Sequence, residues 1–293
     1  MKNIVSVKNL VKKYKSYTLD IPELSVPEGF ATALIGENGA GKTTLCDIIS
    51  GINMDYRGEV ELFGKYLSAD EGDVREKTGY TSSVNYFPEH WKIKDVEDVC
   101  DLVFKGFSRD EFRRICSTYS FTEKDQFKSL KKLSDGNKMR VMLASVFARD
   151  TRLLVLDEPA SPLDPLMRDL LCDNIRDYIS SGEGEKSVIF STHNISDMEN
   201  VTDYAVIISD GKVAEKGFVE ELKEKYILVK GELSCSKHAK DFMFTYTENS
   251  FGFEGICLSE NIDRLAGCDV AFETPGLHQI SVAVLKHFKG AGK

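Results

Sequence analysis

The chain has 293 residues, 42% hydrophobic side chains and a formal net charge of -9, which is ample apolar material for one large or two smaller packed domains. The acidic balance argues against a protein whose main task is to coat nucleic acid, because phosphate-backbone binding draws on clustered Lys and Arg; the short cluster Lys128, Lys131 and Lys132 reads as a solvated helix face. Seven cysteines without a C-x-x-C pair, no apolar run of about 18 residues and no signal-like start point to reduced thiols in a chain that stays in water.

Residues 4–7, 17–21, 31–35 and 59–63 are short β-rich segments broken by Pro and Gly, and they read as mostly antiparallel strands. Between the last two lies Gly36-Glu37-Asn38-Gly39-Ala40-Gly41-Lys42-Thr43, a P-loop that opens a predicted helix over 42–50. Glycines there let successive N–H groups curl inward around a phosphate, while the helix behind presents its positive dipole end to the same anion. Lys42 then reaches the β- and γ-phosphates, and the Thr43 hydroxyl suits Mg²⁺, a hard cation that prefers oxygen ligands.

From 95 to 130 the spacing turns helical, with Val96, Val99, Leu102 and Val103, then Phe112, Ile115 and Cys116. A helix is expected over 138–148, strands over 153–156, 188–191 and 204–209, and a helix over 167–179; Asp210-Gly211 makes a hairpin turn into 212–215. Strands alternating with helices imply a largely parallel sheet with crossover helices. After about Tyr226 shorter β-like pieces appear, at 227–229 and 251–258, and a final helix over 276–288 carries Leu277, Ile280, Val284, Leu285 and Phe288 on one packing face.

The strand Leu153-Leu154-Val155-Leu156 ends in Asp157-Glu158, at the carboxyl edge where open α/β sheets place their ligands. Asp157 is suited to hold Mg²⁺ and Glu158 to orient and deprotonate the water that attacks a γ-phosphate. Leu133-Ser134-Asp135-Gly136-Asn137 precedes a helix and taken alone is a capped helix start. Ser191-Thr192-His193 closes a later strand.

In their order and spacing these four segments together resemble the nucleotide-binding subunit of an ABC transporter, over about residues 6–219. The resemblance implies an α/β fold: a P-loop NTPase of ABC type with an antiparallel β subdomain, a RecA-like core and a helical insert at about 95–148, all within 1–226. A small α+β extension follows at 227–293. It implies ATP and Mg²⁺ as cofactors, with Gly36, Asn38, Gly39, Gly41, Lys42, Thr43 and Thr44 on the phosphates, Tyr14 under the adenine with Tyr17 close enough to compete, and His193 as the γ-phosphate switch. Ser134 and Gly136 would reach the γ-phosphate held by a second copy, and Asp164 would touch that copy, so two chains close head to tail around two nucleotides. Where the family has Gln or Glu as a further Mg²⁺ contact, Ser83 stands here, with Asn85 and Glu89 as substitutes if the loop is shifted. Asp135 and Asn137 replace the commoner Gly and Gln, and a carboxylate near a triphosphate predicts slowed turnover.

The implied partners are this second subunit and a transmembrane permease, with no nucleic acid, and the implied location is cytoplasmic, held on the inner face of the membrane by the permease. Phe87-Pro88-Glu89-His90-Trp91 sits where the family receives its permease, though buried helical packing explains an aromatic cluster equally well. Glu273-Thr274-Pro275-Gly276-Leu277 resembles the tail of ABC-2 type exporters. Two other classes remain: a soluble ABC ATPase acting on nucleic acid or ribosomes, and an ATP-sensing module with weak turnover.

Overall fold

The computed structural model describes residues 2–67, 72–235 and 239–291. Strands β1 (Asn3–Lys13) and β2 (Thr18–Pro27) form an antiparallel hairpin, and the chain then enters β3 (Ala31–Ile35), buried along its whole length. Helix α1 (Lys42–Ile49) follows, and β4 (Arg57–Leu62) and β5 (Lys65–Tyr66) return to complete a four-stranded sheet in the order β2-β1-β4-β5. This is the antiparallel subdomain, and β3 is the strand that leaves it.

After α2 (Gly72–Glu76), β6 (Thr78–Thr81) enters a second sheet with β3. The helical spacing over 95–130 resolves into α3 (Ile93–Val103) and α4 (Arg109–Thr118), followed by 3₁₀ turns at Glu123–Phe127 and Leu130–Lys132. The Ser108 hydroxyl accepts the Glu111 N–H at the start of α4, and Ser120, at φ +67°, ends it before a continuous helix can form. Then come α5 (Asp135–Phe147), β7 (Leu153–Leu156), α6 (Pro165–Ser180), β8 (Ser187–Thr192), β9 (Tyr204–Ser209) and β10 (Lys212–Phe218).

The second sheet has the order β10-β9-β3-β8-β7-β6, with every neighbouring pair from β9 to β6 parallel. Its register decides where the chemistry goes. Ile35 pairs with Thr192, Leu156 with Phe190, and Thr81 with Leu156, so the chain leaves β3, β8, β7 and β6 at one edge. The loops carrying the P-loop, His193, Asp157-Glu158 and Ser83 are thereby brought side by side.

Alternation along these strands splits the apolar residues between two cores. Leu34, Leu153, Val155, Ile189, Val206 and Ile208 face α1 and the antiparallel sheet. Ala33, Leu154, Leu156, Phe190 and Ile207 face the helices of the other layer. Both faces being covered is why the parallel strands read as unbroken apolar runs.

Helix α7 (Val219–Lys225) leads into a third sheet of β11 (Tyr226–Gly231), β12 (Thr245–Asn249), β13 (Gly252–Leu258) and β14 (Val270–Glu273), antiparallel in the order β12-β13-β11-β14. One face of it, with Val229, Phe253 and Cys257, packs into a small cluster of its own; the other, with Leu228 and Ile256, joins the main core. Between that face and β9 lies α8 (Leu277–Ala291). Its Leu277, Ile280, Ala283 and Val284 are buried, while Leu285 and Phe288 are half-buried. Each of the larger buried side chains contributes roughly 1.5–3 kcal/mol.

Candidate active site

The phosphate loop is shaped by its glycines. Gly36 runs so close to β9 that a Cβ would lie 2.4 Å from the Ile208 carbonyl oxygen. Gly41 caps α1 in the left-handed region, at φ +109°, where a Cβ would meet the Tyr17 hydroxyl at 1.8 Å. Gly39 also has a positive φ, in open space, and Asn38 beside it is exposed. Gly41→Ala is therefore expected to cost about 1–3 kcal/mol of stability through backbone strain and side-chain collision. A lowered thermal unfolding midpoint, with weakened nucleotide binding, is the measurement that checks it.

Lys42, only 5% exposed, turns its ammonium back over this loop and donates to the Gly36 carbonyl at 2.9 Å and the Glu37 carbonyl at 3.2 Å. It also lies 3.3 Å from Glu158 Oε1. The Thr43 hydroxyl donates to Asp157, 3.0 and 3.1 Å from its two carboxylate oxygens. Asp157 is fully buried and accepts a second hydroxyl bond, from Ser191 at 2.6 Å. The same Ser191 oxygen accepts the backbone N–H of Glu158 at 2.9 Å.

Ser191 is thus the bridge between the strand that carries the acids and the strand that carries His193. Its only signal in the sequence is a hydroxyl interrupting an apolar strand next to His193.

Glu158 has φ +50°, an uncommon conformation for a residue with a side chain. That turn swings its carboxylate out of the strand direction and between Lys42 and His193, whose Nδ1 lies 2.8 Å from Glu158 Oε2. A carboxylate in contact with a lysine on one side and a histidine on the other can take a proton and pass it on.

The surroundings of α1 are acidic as well. Burial, with Asp157 and Asp47 nearby, raises the Cys46 thiol well above its usual range, and burial raises the Asp47 carboxyl. The Tyr80 hydroxyl donates to Asp47 at 2.7 Å.

A cavity of about 450 Å³ opens beside the cluster, lined among others by Asn38, Ser83, Glu158, Ser161 and His193, with Asp135 and Lys138 on its wall. Ser134 and Gly136 do not line it. The Ser134 hydroxyl accepts the Asn137 N–H at 3.3 Å and caps α5, and a Cβ on Gly136 would meet the Pro162 carbonyl oxygen at 2.6 Å. Asp164 caps α6 by accepting the Met167 N–H at 3.1 Å, and its carboxylate lies 3.6 Å from Arg140. The signature segment and the Asp164 turn are therefore neighbours, and Asp135 and Pro162 of these segments line the same cavity as Asn38 of the phosphate loop.

Ser83 is exposed on the loop after β6. Of its two possible substitutes, Asn85 spends its side chain on the Phe87 backbone, and Glu89 pairs with Lys138 at 2.9 Å. Tyr14 is 46% exposed and stacks on Tyr17 at a ring distance of 6.1 Å. Tyr17 is the one seated on the phosphate loop, donating to the Ala40 carbonyl at 3.2 Å. Burial, with Tyr14 beside it, pushes its hydroxyl up to about 12, so it remains a donor at neutral pH. Thr44 is half-buried on the first turn of α1.

The donor set fits Mg²⁺. It offers the hydroxyl of Thr43 and the carboxylate of Asp157, all hard oxygen, and among the described residues no group of three or more His, Cys, Asp or Glu forms a self-sufficient metal cage. Mg²⁺ commonly completes its octahedron with substrate phosphates and water in sites of this kind.

A P-loop NTPase of the cassette type is what this fold and site define, and comparison with known proteins agrees. The ABC transporter family model matches residues 19–161. The tungstate uptake system ATP-binding protein TupC of Peptoclostridium acidaminophilum is 32% identical over 219 residues, covering 72% of this chain and 97% of that protein. The energy-coupling factor transporter ATP-binding protein EcfA of Pediococcus pentosaceus is 32% identical over 74% of this chain and 79% of its own length. The Nod factor export ATP-binding protein I of Ralstonia nicotianae is 27% identical over 75% and 68%. Among solved structures, an ATP-binding subunit of an ABC transporter superposes with a TM-score of 0.66 at 26% identity, covering 75% of this chain and 92% of that one. A dimeric ATP-binding cassette bound to ADP and phosphate shares the fold, with a TM-score of 0.64 at 21% identity over 73% and 98%.

The chain belongs to the ATP-binding subunits of ABC transporters, and it is an ATPase. Among the described residues, no helix is long and apolar enough to cross a membrane.

Proposed function

We propose that the chain powers an exporter, working as one of two copies closed head to tail around two ATP molecules and docked from the cytoplasmic side on a separate permease. The observation that carries this reading is the convergence of Lys42, Thr43, Asp157, Glu158, Ser191 and His193 through contacts of 2.6–3.3 Å at a single sheet edge. The backbone of Gly36, Asn38, Gly39 and Gly41 with Lys42 and Thr44 grips the phosphates, and Tyr14 stacks on the adenine. Glu158 accepts a proton from the attacking water, His193 orients Glu158 and the γ-phosphate, and Asp157 with Thr43 and Ser83 holds Mg²⁺. Bound there, Mg²⁺ supplies charge neutralisation across the β- and γ-phosphates.

In this reading Ser134, Gly136 and Asp164 serve the site of the second copy. Neither Ser134 nor Gly136 lines the cavity shared by Asn38, Glu158 and His193, which supports the pairing, because these two residues are then left for the site of the second copy. ATP favours the closed pair through contacts unique to it, and hydrolysis releases them. The side chain of Asp135 is 94% exposed, with Lys138 at 3.8 Å as its neighbour, so its charge is partly offset and turnover is slowed rather than abolished.

Docking is assigned to a cavity of about 710 Å³ whose walls include Tyr86, Phe87, Pro88, Trp91, Val103 and Phe104. Phe87 and Trp91 stack at 6.1 Å, and Val103 is 57% exposed. A groove lined by these apolar and aromatic side chains together with polar ones such as Arg75 and Ser82 fits a short helix from a membrane protein. Export is supported by the residues from Glu273 to Leu277, against relatives named for both uptake and export.

The test is ATP hydrolysis by the purified chain together with its membrane partner: turnover that requires Mg²⁺ is expected, and none at all refutes the reading. A photoreactive label on Val103→Cys is expected to capture an integral membrane protein. Labelling confined to soluble proteins would count against docking at this face.

A further inference from the structure

The last helix is fastened at both ends to segments of the active site. At its start, Glu199, in the turns that follow His193, accepts the backbone N–H of Leu277 at 2.7 Å and of His278 at 3.4 Å. The buried side of α8 then runs along β9. In its last turn Lys289 forms an ion pair with Glu37, the residue between Gly36 and Asn38 in the phosphate loop. Glu37 is therefore engaged twice, since its carbonyl oxygen also takes the Lys42 ammonium at 3.2 Å. On the opposite side of α8, His287 packs on Phe244 of the tail at a ring distance of 4.1 Å. The tail sheet, the helix and the phosphate loop thus form one continuous chain of contacts.

The charge of Glu37 is misplaced for its neighbourhood. A loop built to bind a triphosphate carries a carboxylate next to its first glycine, and like charges within a Debye length of about 8–10 Å repel. Lys289 supplies the opposite charge, with Asp210 as a second acid facing it.

We propose that Lys289 is a positioning residue for ATP: it tethers and neutralises Glu37, so that the seating of the C-terminal helix sets the affinity of the phosphate loop for MgATP. Anything that lifts the last turn of α8, whether a partner bound to the tail or loss of the Lys289 charge, weakens nucleotide binding. This inference rests on the ATP-binding reading above.

The experiment titrates the full-length chain with a fluorescent ATP analogue and Mg²⁺ at low and high KCl, using wild type, Lys289→Gln, Lys289→Arg, Glu37→Gln and the double variant Glu37→Gln/Lys289→Gln. Lys289→Gln is expected to bind about threefold more weakly at low salt, with the deficit shrinking at high salt. Lys289→Arg keeps wild-type affinity. Adding Glu37→Gln to Lys289→Gln restores binding, because the unpaired acid is gone. In steady-state ATPase the change falls mainly on KM, with kcat moving less.

Unchanged affinity in Lys289→Gln overturns the proposal, and so does a double variant as weak as Lys289→Gln alone; the latter marks the pair as merely structural. A wild-type chain that binds no analogue fails the ATP reading itself, and this proposal falls with it, whereas wild-type binding with indifferent variants sinks this proposal alone.

Discussion

Glu158→Gln is expected to lower ATP turnover by about 10²- to 10⁴-fold, the range for removing a positioned general base, while nucleotide affinity stays near wild type. The amide has nearly the shape of the carboxylate, so the φ +50° turn at this residue and its backbone bond to Ser191 remain intact. What disappears is the basic oxygen. Glu158 Oε2 faces His193 at 2.8 Å and Oε1 faces Lys42 at 3.3 Å, and an amide can fill that space without accepting a proton from water. Since binding outlasts turnover, ATP is expected to hold the variant as a pair, visible as a doubled mass in size-exclusion chromatography with light scattering. A variant that still hydrolyses at half the wild-type rate would remove Glu158 from the chemistry.

Lys42→Ala fails one step earlier, at binding. Truncating one partner of a buried, hydrogen-bonded charge arrangement costs about 2–5 kcal/mol, on the order of 10²-fold or more in affinity. Lys42 is 5% exposed and makes three polar contacts within 3.3 Å, so no neighbouring lysine replaces it without rebuilding the loop. Calorimetric titration with MgATP is expected to show little heat in the variant. The two substitutions separate cleanly: one chain grips without cutting, and the other does not grip. Affinity in Lys42→Ala within threefold of wild type would contradict the role given to this ammonium.

Much of the architecture was legible in the sequence because it is written in short-range patterns. The parallel strands β3, β7 and β9 announce themselves as apolar runs, and their bounds are read correctly since buried strands tolerate few polar residues. The phosphate loop is legible for a different reason: glycines at positive φ next to a lysine and a threonine have few other uses. Asp157 and Glu158 are suggested by their place at a strand end, whereas the role of His193 comes from the family resemblance alone.

What stayed hidden depends on pairing that no local pattern specifies. Ser191 acquires its part only because β7 and β8 are neighbours in register. The resemblance favours Tyr14 for the adenine with Tyr17 as a close competitor, and only the folded loop shows that Tyr17 reaches Ala40. The stripe on the last helix was readable, yet the surface it covers and the pairing of Lys289 with Glu37, 252 positions away, were not. Helical spacing over 95–130 overran the true ends of α3 and α4 because the residues that stop them act through single backbone angles and caps.

The order of the six-stranded sheet has a consequence for which parts can vary. The reactive groups hang from β3, β8 and β7 in its middle, whereas the aromatic groove adjoins β6 at one margin and the tail adjoins β9 and β10 at the other. Substitutions at either margin can therefore be made without moving the strands that fix the spacing of the reactive atoms. The middle of the sheet is thereby a fixed frame, and its two margins are the parts free to vary around it.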